Sequence, residues 1–286
     1  MGDETKKRFW KEPRFIALYL LLPLILGILL STVIPRPIIG IIRLDDAIYS
    51  YTANALIKQI EYARDHAEIR AVLLVLNTPG GTVVDTEAVY LELIKLQAQK
   101  PVVTYVQGMA ASGGYYLSAA TNQIYSGPSS LIGNVGVIVT LPEDPYILED
   151  LVTTGPYKLS GSARDTTLRE IEVVKQGFYQ AVTLGRGDRL KLSLEGLLSG
   201  EIWMGGEALR HGLIDGIGSL SEALDHTADL AKIANYEVGE LQQLAGISSD
   251  YLIPFFMETA DGLISAYPNK AGVYLLYIPQ SARRLP

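Results

Sequence analysis

The sequence predicts an α/β protein with a largely parallel sheet, preceded by one N-terminal transmembrane helix. Three observations carry this. Short β-branched apolar runs alternate with amphipathic stretches across glycine turns, the pattern of repeated strand–helix units. One run of 20 residues, Phe15 to Ile34, contains no charge. Finally, 286 residues at 48% hydrophobic can bury a full core and leave one membrane segment over.

Composition narrows the function classes. A net charge of −7, with no basic stripe after the N-terminal segment, argues against nucleic acid as a partner. Cysteine is absent, so there is no disulfide, no thiolate nucleophile and no cysteine metal site. The histidines are His66, His211 and His226, with no H-x-x-x-H spacing, so no metal or other cofactor is expected. His66 and His211 lie among charged helical residues and read as solvated surface groups.

The elements follow in order. Residues 1–14 form a basic tail, with Lys6, Lys7, Arg8, Lys11 and Arg14 placing it on the cytoplasmic side. Residues 15–36 read as an anchor, because 20 helical residues at ~1.5 Å each match a hydrocarbon core of ~30 Å. The run ends in Ile34-Pro35-Arg36-Pro37, unlike the small-residue cleavage site of a signal peptide. Pro23 permits a kink without disqualifying the span. Residues 37–235 then form an extracytoplasmic α/β domain, and residues 236–286 a C-terminal extension.

Ile38–Ile42 reads as the first strand, and Asp45–His66 as a helix with Ala53, Leu56, Ile57 and Ile60 on one face. The apolar run Ala71–Leu76 is a buried strand that enters Asn77-Thr78-Pro79-Gly80-Gly81. That loop is either an ordinary β-to-α turn or a surface whose outward N–H groups pair with a peptide or an oxyanion. A helix over Asp85–Gln99 and a strand at Val102–Val106 lead to a small-residue stretch from Gly108 to Ala120. Within it, Ser112 stands at or just before a helix N-terminus, where free N–H groups favour developing negative charge. Two readings stay open there: a nucleophile with an exposed Oγ, or a serine N-cap on a tightly packed helix. Gln123–Tyr125 and Val135–Thr140 supply two further strands. Leu141 to Gly155 reads as exposed irregular chain, and Asp165–Leu184 as a long amphipathic helix with Leu168, Ile171, Val174 and Phe178 at helical spacing. In the extension, Tyr251–Tyr267 is apolar and Gly272–Ile278 reads as a strand. Either caps the core, packs on a neighbouring subunit or touches the membrane surface.

Taken together, the Asn77–Gly81 and Gly108–Ala120 stretches resemble the signal peptide peptidase A family, membrane-anchored serine peptidases of the Clp-protease/crotonase superfold. The resemblance continues through Ile124-Tyr125, Gly133 to Ile138, Gly155-Pro156-Tyr157-Lys158 and Gly205 to Gly218, covering roughly residues 38–230 in order. It implies a spiral of ββα units, Ser112 as nucleophile and Lys158 as general base. A lysine serves as base only as the neutral amine, which burial favours by lowering its pKa from ~10.4. Arg164 is no rival, since a guanidinium does not give up its proton. Gly80, Gly81, Gly113 and Asn134 are then the oxyanion and substrate-binding candidates. The stretch from Trp203 through Asp215 matches the family's returning helix and strand and reads as structural.

Two departures stand out. Leu159 follows the lysine where the family often has an acid, and Asn134 replaces a serine whose hydroxyl would orient that lysine. The resemblance further implies a ring-like homo-oligomer acting on hydrophobic or unstructured peptides. A pseudopeptidase kept as a peptide-binding or assembly subunit is the alternative. A crotonase-like acyl-CoA enzyme is a third reading, opposed by the membrane anchor and by the serine with its lysine.

Overall fold

The computed structural model describes residues 17–33, 35–139, 153–155, 157–158, 161–247 and 273–276. The chain divides into two units, Met1–Pro37 and Ile38–Pro286. In the first, five π-helical residues, Ala17–Leu21, lead into α1, Leu22–Val33. Its apolar side chains face outward, Leu20 at 66% and Leu24 at 59% exposure. Among the described residues no helix is long and apolar enough to cross a membrane. The change of helical type divides the predicted span just before Pro23, whose ring lacks an N–H and crowds the carbonyl one turn back. The ends of the run, and residues 1–14, lie outside the described residues.

The second unit runs β1 (Ile38–Leu44), α2 (Ser50–Asp65), β2 (Ile69–Thr78), β3 (Gly80–Thr82), α3 (Val83–Gln97), β4 (Val102–Ala111), α4 (Gly113–Ser118) and β5 (Gln123–Ser126). It continues through β6 (Leu131–Gly133), β7 (Ile138–Val139), α5 (Arg164–Arg186), α6 (Leu194–Leu197), β8 (Ile202–Met204), α7 (Gly205–Arg210) and β9 (Gly216–Ile217). The last described elements are α8 (Leu220–Ala231), β10 (Glu237–Glu240), α9 (Leu241–Leu244) and β11 (Val273–Leu276).

The main sheet has the order β10-β1-β2-β4-β5-β9, every neighbouring pair parallel. Off this path β6 pairs parallel with β4, and β8 antiparallel with β6. Strands β2 and β4 are continuous apolar runs because both sheet faces are covered. Val72, Leu74 and Leu76 pack with Leu56, Ile60 and Leu93 of α2 and α3 on one face. Leu73, Val75, Val103 and Tyr105 meet Ala223 and Ala228 of α8 on the other. This parallel α/β architecture is the predicted one.

A second, smaller sheet has the order β3-β11-β7 and is antiparallel. The predicted tail strand is therefore real over Val273–Leu276, and its partners are the loop after β2 and the segment after β6. Tyr251–Tyr267 lies outside the described residues.

Boundaries differ in two instructive places. Helix α2 begins at Ser50 rather than Asp45, because the intervening residues are pulled into pairing with β3. Ile48 donates to the Gly80 carbonyl at 2.8 Å and accepts from the Thr82 amide at 2.9 Å. In place of one strand over Val135–Thr140, the chain pairs earlier, as β6, and leaves the sheet at Gly133 (φ 113°) and Asn134 (φ 55°). Among the described residues of that stretch, Ile138–Val139 re-forms a strand.

Candidate active site

Ser112 joins the end of β4 to the start of α4, at the carboxyl edge of the parallel sheet, where such folds build their sites. Its backbone sits at φ 52°, ψ −116°, a region that side chains other than glycine rarely occupy. Holding a residue there costs ~1–3 kcal/mol and persists only where the surroundings over-determine it. The side chain makes no capping hydrogen bond, although the residue stands at the N-cap position. That removes the bland reading of a helix cap. The residue is 1% exposed, which corrects the expectation of an open hydroxyl. Every residue of α4 is buried, so the strand–helix junction is packed in with it.

Sheet register brings together the strand ends next to the predicted residues. Thr78 stands opposite Ala110 and Gly133 opposite Ala111, so the ends of β2, β4 and β6 converge. The Ser112 amide donates to the Gly133 carbonyl at 2.8 Å, and its carbonyl accepts from the Tyr116 amide at 2.9 Å. Gly113 is the first residue of α4, where a backbone N–H has no acceptor inside the helix. Gly114 rests on Thr78: a Cβ there would lie 2.6 Å from Thr78 Cγ2. Gly80, at φ 97°, uses glycine's freedom to turn out of β2, and its amide donates to Thr78 Oγ1 at 3.2 Å. Gly81 passes so close to Ile48 that a Cβ would meet the Ile48 carbonyl at 1.7 Å. Asn134 follows Gly133 and donates through Nδ2 to the Gly200 carbonyl at 2.7 Å. Its donor half thus anchors a loop, and only Oδ1 can accept from an ammonium.

Lys158 lies in a turn where its amide donates to the Gly155 carbonyl at 3.2 Å, and the residue is exposed. Burial lowers the pKa of another lysine, Lys100, which donates to the Ala63 and His66 carbonyls. It precedes β4, whose ten residues span ~33 Å before Ser112, so it is no base for that serine. Tyr116, one turn into α4, is pushed up to about 12 by burial and then by Glu87 and Tyr90, so it stays protonated. The histidine rings are committed to aromatic partners: His66 stacks on Tyr62, His226 on Tyr125, and His211 meets Trp203 edge-on. His66 and His211 are half-buried, which corrects the solvated reading. Among the described residues no cluster could hold a metal ion.

Two features escaped the sequence. Strand β11 lies antiparallel on β3, with Leu276 opposite Gly80 and Tyr274 opposite Thr82, while its other edge pairs with β7. Running from Val273 to Leu276, it points toward the Gly80 end, where Ser112 stands. Nothing in a short apolar run names its partner strand. The second feature is Arg186, buried at 1% exposure and paired with Asp215. An arginine near a helix end is ordinarily read as solvated, so composition gives no hint of it.

Comparison with known proteins agrees with this geometry. The profile of peptidase family S49 matches residues 94–234, and that of Clp protease matches residues 39–132. Over 198 residues the chain is 31% identical to Protease 4 of Salmonella typhi, covering 64% of this chain and 32% of that one. It is 33% identical to the putative protease MJ0651 of Methanocaldococcus jannaschii over 186 residues, 60% of each chain. With the putative signal peptide peptidase SppA of Enterococcus faecium it shares 29% identity, over 71% of this chain and 63% of that one. The match spans about a third of the length of that Protease 4, 32%, and of the Protease 4 of Haemophilus influenzae, 35%. A strained serine at a strand–helix junction with glycine turns beside it agrees with the S49 profile, and over residues 94–234 the chain is similar to peptidase family S49.

Proposed function

We propose that the chain is a serine endopeptidase in which Ser112 attacks the carbonyl of an extended peptide. The observation that carries this is the Ser112 backbone, held at φ 52° between strand and helix with a hydroxyl that caps nothing. The Gly113 amide supplies a donor for the oxyanion, and the glycine loop at Gly80-Gly81 borders the substrate backbone. The peptide lies in the slot between β3 and β7, recognised through its main chain as an added strand. That an extended backbone fits there is supported by β11, which pairs with both edges.

Lys158 is the proposed base. It takes the Ser112 proton as the nucleophile attacks and returns it to the leaving amine; water then releases the acyl group by the reverse path. An exposed lysine is a poor base, and the desolvation it needs has to come from another surface. A ring-like homo-oligomer supplies one, with Lys158 of one protomer covered beside Ser112 of the next. The apolar run at residues 15–34 anchors such a ring to the membrane, with residues 1–14 cytoplasmic and the peptidase unit outside. Hydrophobic or unstructured peptides are the expected substrates, with neither nucleic acid nor a cofactor involved. The exposure of Lys158 also favours one alternative, a pseudopeptidase that binds peptides without cutting them.

A covalent serine phosphonate decides between the two. The peptidase labels at Ser112 and loses both label and peptide cleavage in Ser112→Ala. A wild type inert to probe and peptides, yet binding the peptides, is the pseudopeptidase.

A further inference from the structure

Arg186 is among the largest fully buried side chains of the protein. A cation so placed has to be paired and hydrogen-bonded, and this one is. Its Nε donates to the Gly212 carbonyl at 2.9 Å, and Nη1 and Nη2 donate to the two Asp215 oxygens at 2.7 and 2.9 Å. Asp215 also accepts from the Ile124 amide at 2.8 Å and from Arg189 Nη1 at 3.0 Å. Burial alone would push this carboxyl up, but the Arg186 hydrogen bonds and charge outweigh it and hold it below the usual range.

The knot does not stop at Asp215. The Tyr115 hydroxyl, fully buried on α4, donates to the Leu213 carbonyl at 2.8 Å, within the segment that Arg186 ties down. Beside Arg186, Gly185 lies against the end of α4, so that a Cβ there would meet the Ala119 carbonyl at 2.0 Å. Two turns earlier Phe178 packs on Tyr116, ring centroids 4.9 Å apart. Helix α4 is thus gripped through Tyr115, Tyr116 and Ala119, and all three contacts lead back to the end of α5 or to the segment it holds. Ser112 heads that helix in a conformation that only a rigid surrounding sustains.

We infer that Arg186 is a positioning residue: through Asp215 and the Leu213 carbonyl it fixes α4, and thereby aims the Ser112 hydroxyl. The segment from Trp203 to Asp215 then serves the reaction as well as the fold. The inference rests on the peptidase reading above.

The test uses full-length variants in mild detergent, with rates measured well below each melting temperature. Tyr115→Phe keeps the arginine pair and removes one hydroxyl contact to the brace. It should lower kcat and the rate of phosphonate labelling about tenfold, a typical cost of a slightly misaimed group, with KM unchanged. Arg186→Lys keeps the charge but loses the planar fork, and should fall at least as far. Arg64→Met breaks a half-buried ion pair with Glu92 on the helices α2 and α3, and serves as the control for stability alone. It should lower the melting temperature and leave the labelling rate unchanged. The inference is overturned if Tyr115→Phe labels at the wild-type rate, or if Arg64→Met slows labelling equally. Should Arg186→Lys not fold, Tyr115→Phe decides by itself. A wild type that reacts with no probe overturns the peptidase reading instead.

Discussion

The Ser112 amide donates to the Gly133 carbonyl at 2.8 Å, so the residue is still tied to the β4–β6 ladder where its backbone enters the left-handed region. Relief of that strain is measurable. Ser112→Gly removes a penalty of ~1–3 kcal/mol and adds the entropic cost of glycine, ~0.5–1 kcal/mol. The net expectation is about 1 kcal/mol of added stability, or roughly 2–4 °C in melting temperature. Ser112→Ala retains Cβ and should gain nothing, while both lose activity. Equal melting temperatures for the two variants would refute the strain.

The base is tested by charge against basicity. Lys158→Arg keeps a cation that cannot accept a proton, so it should be as inactive as Lys158→Ala, ~10²–10⁴-fold below wild type. If the site is shared between protomers, mixing Ser112→Ala with Lys158→Ala chains should restore partial cleavage. Wild-type speed in Lys158→Arg removes this lysine from the mechanism.

Strand β11 occupies the slot proposed for the substrate, so it should compete with peptides. Leu275→Pro places proline in the middle strand of a three-stranded sheet, where its missing N–H and its ring break the ladder. Peptide KM should fall several-fold with kcat unchanged, and peptide should bind Ser112→Ala/Leu275→Pro more tightly than Ser112→Ala. An unchanged affinity would show that the tail does not hold the slot.

Acid should loosen the Arg186 knot. Asp215 is depressed in the folded state, so its contribution is present above its unfolded pKa of ~3.9 and lost as pH falls through the lower folded value. Wild-type melting temperature should therefore drop below about pH 4. Asp215→Asn should be less stable at neutral pH and lose less on acidification. Parallel pH curves for the two would contradict the sign.

Much of this was legible because it is local. The β-branched runs at Ala71–Leu76 and Val102–Val106 announce buried strands, and the glycines around Ser112 announce a tight strand-to-helix turn. What was hidden depends on distant partners. The strand at Val273–Leu276 could be read, but its insertion beside Gly80–Thr82 could not, since pairing leaves no trace in a four-residue run. Asp45 looked like a helix start, yet its side chain accepts from Asn77 and the helix waits until Ser50. Burial was misjudged at Ser112 and unannounced at Arg186 for the same reason: both are polar by type and enclosed only by what folds over them.

The pairing of Ile48 with Gly80 and Thr82 has one more consequence. Strand β3 has two edges, and Ile48 permanently seals one of them with a backbone bridge, so close that Gly81 tolerates no side chain. An unsealed strand of this kind is a template from which chains polymerise edge to edge. With that edge sealed, β3 has one edge left for a strand, which β11 takes here, so the segment cannot template aggregation from both sides.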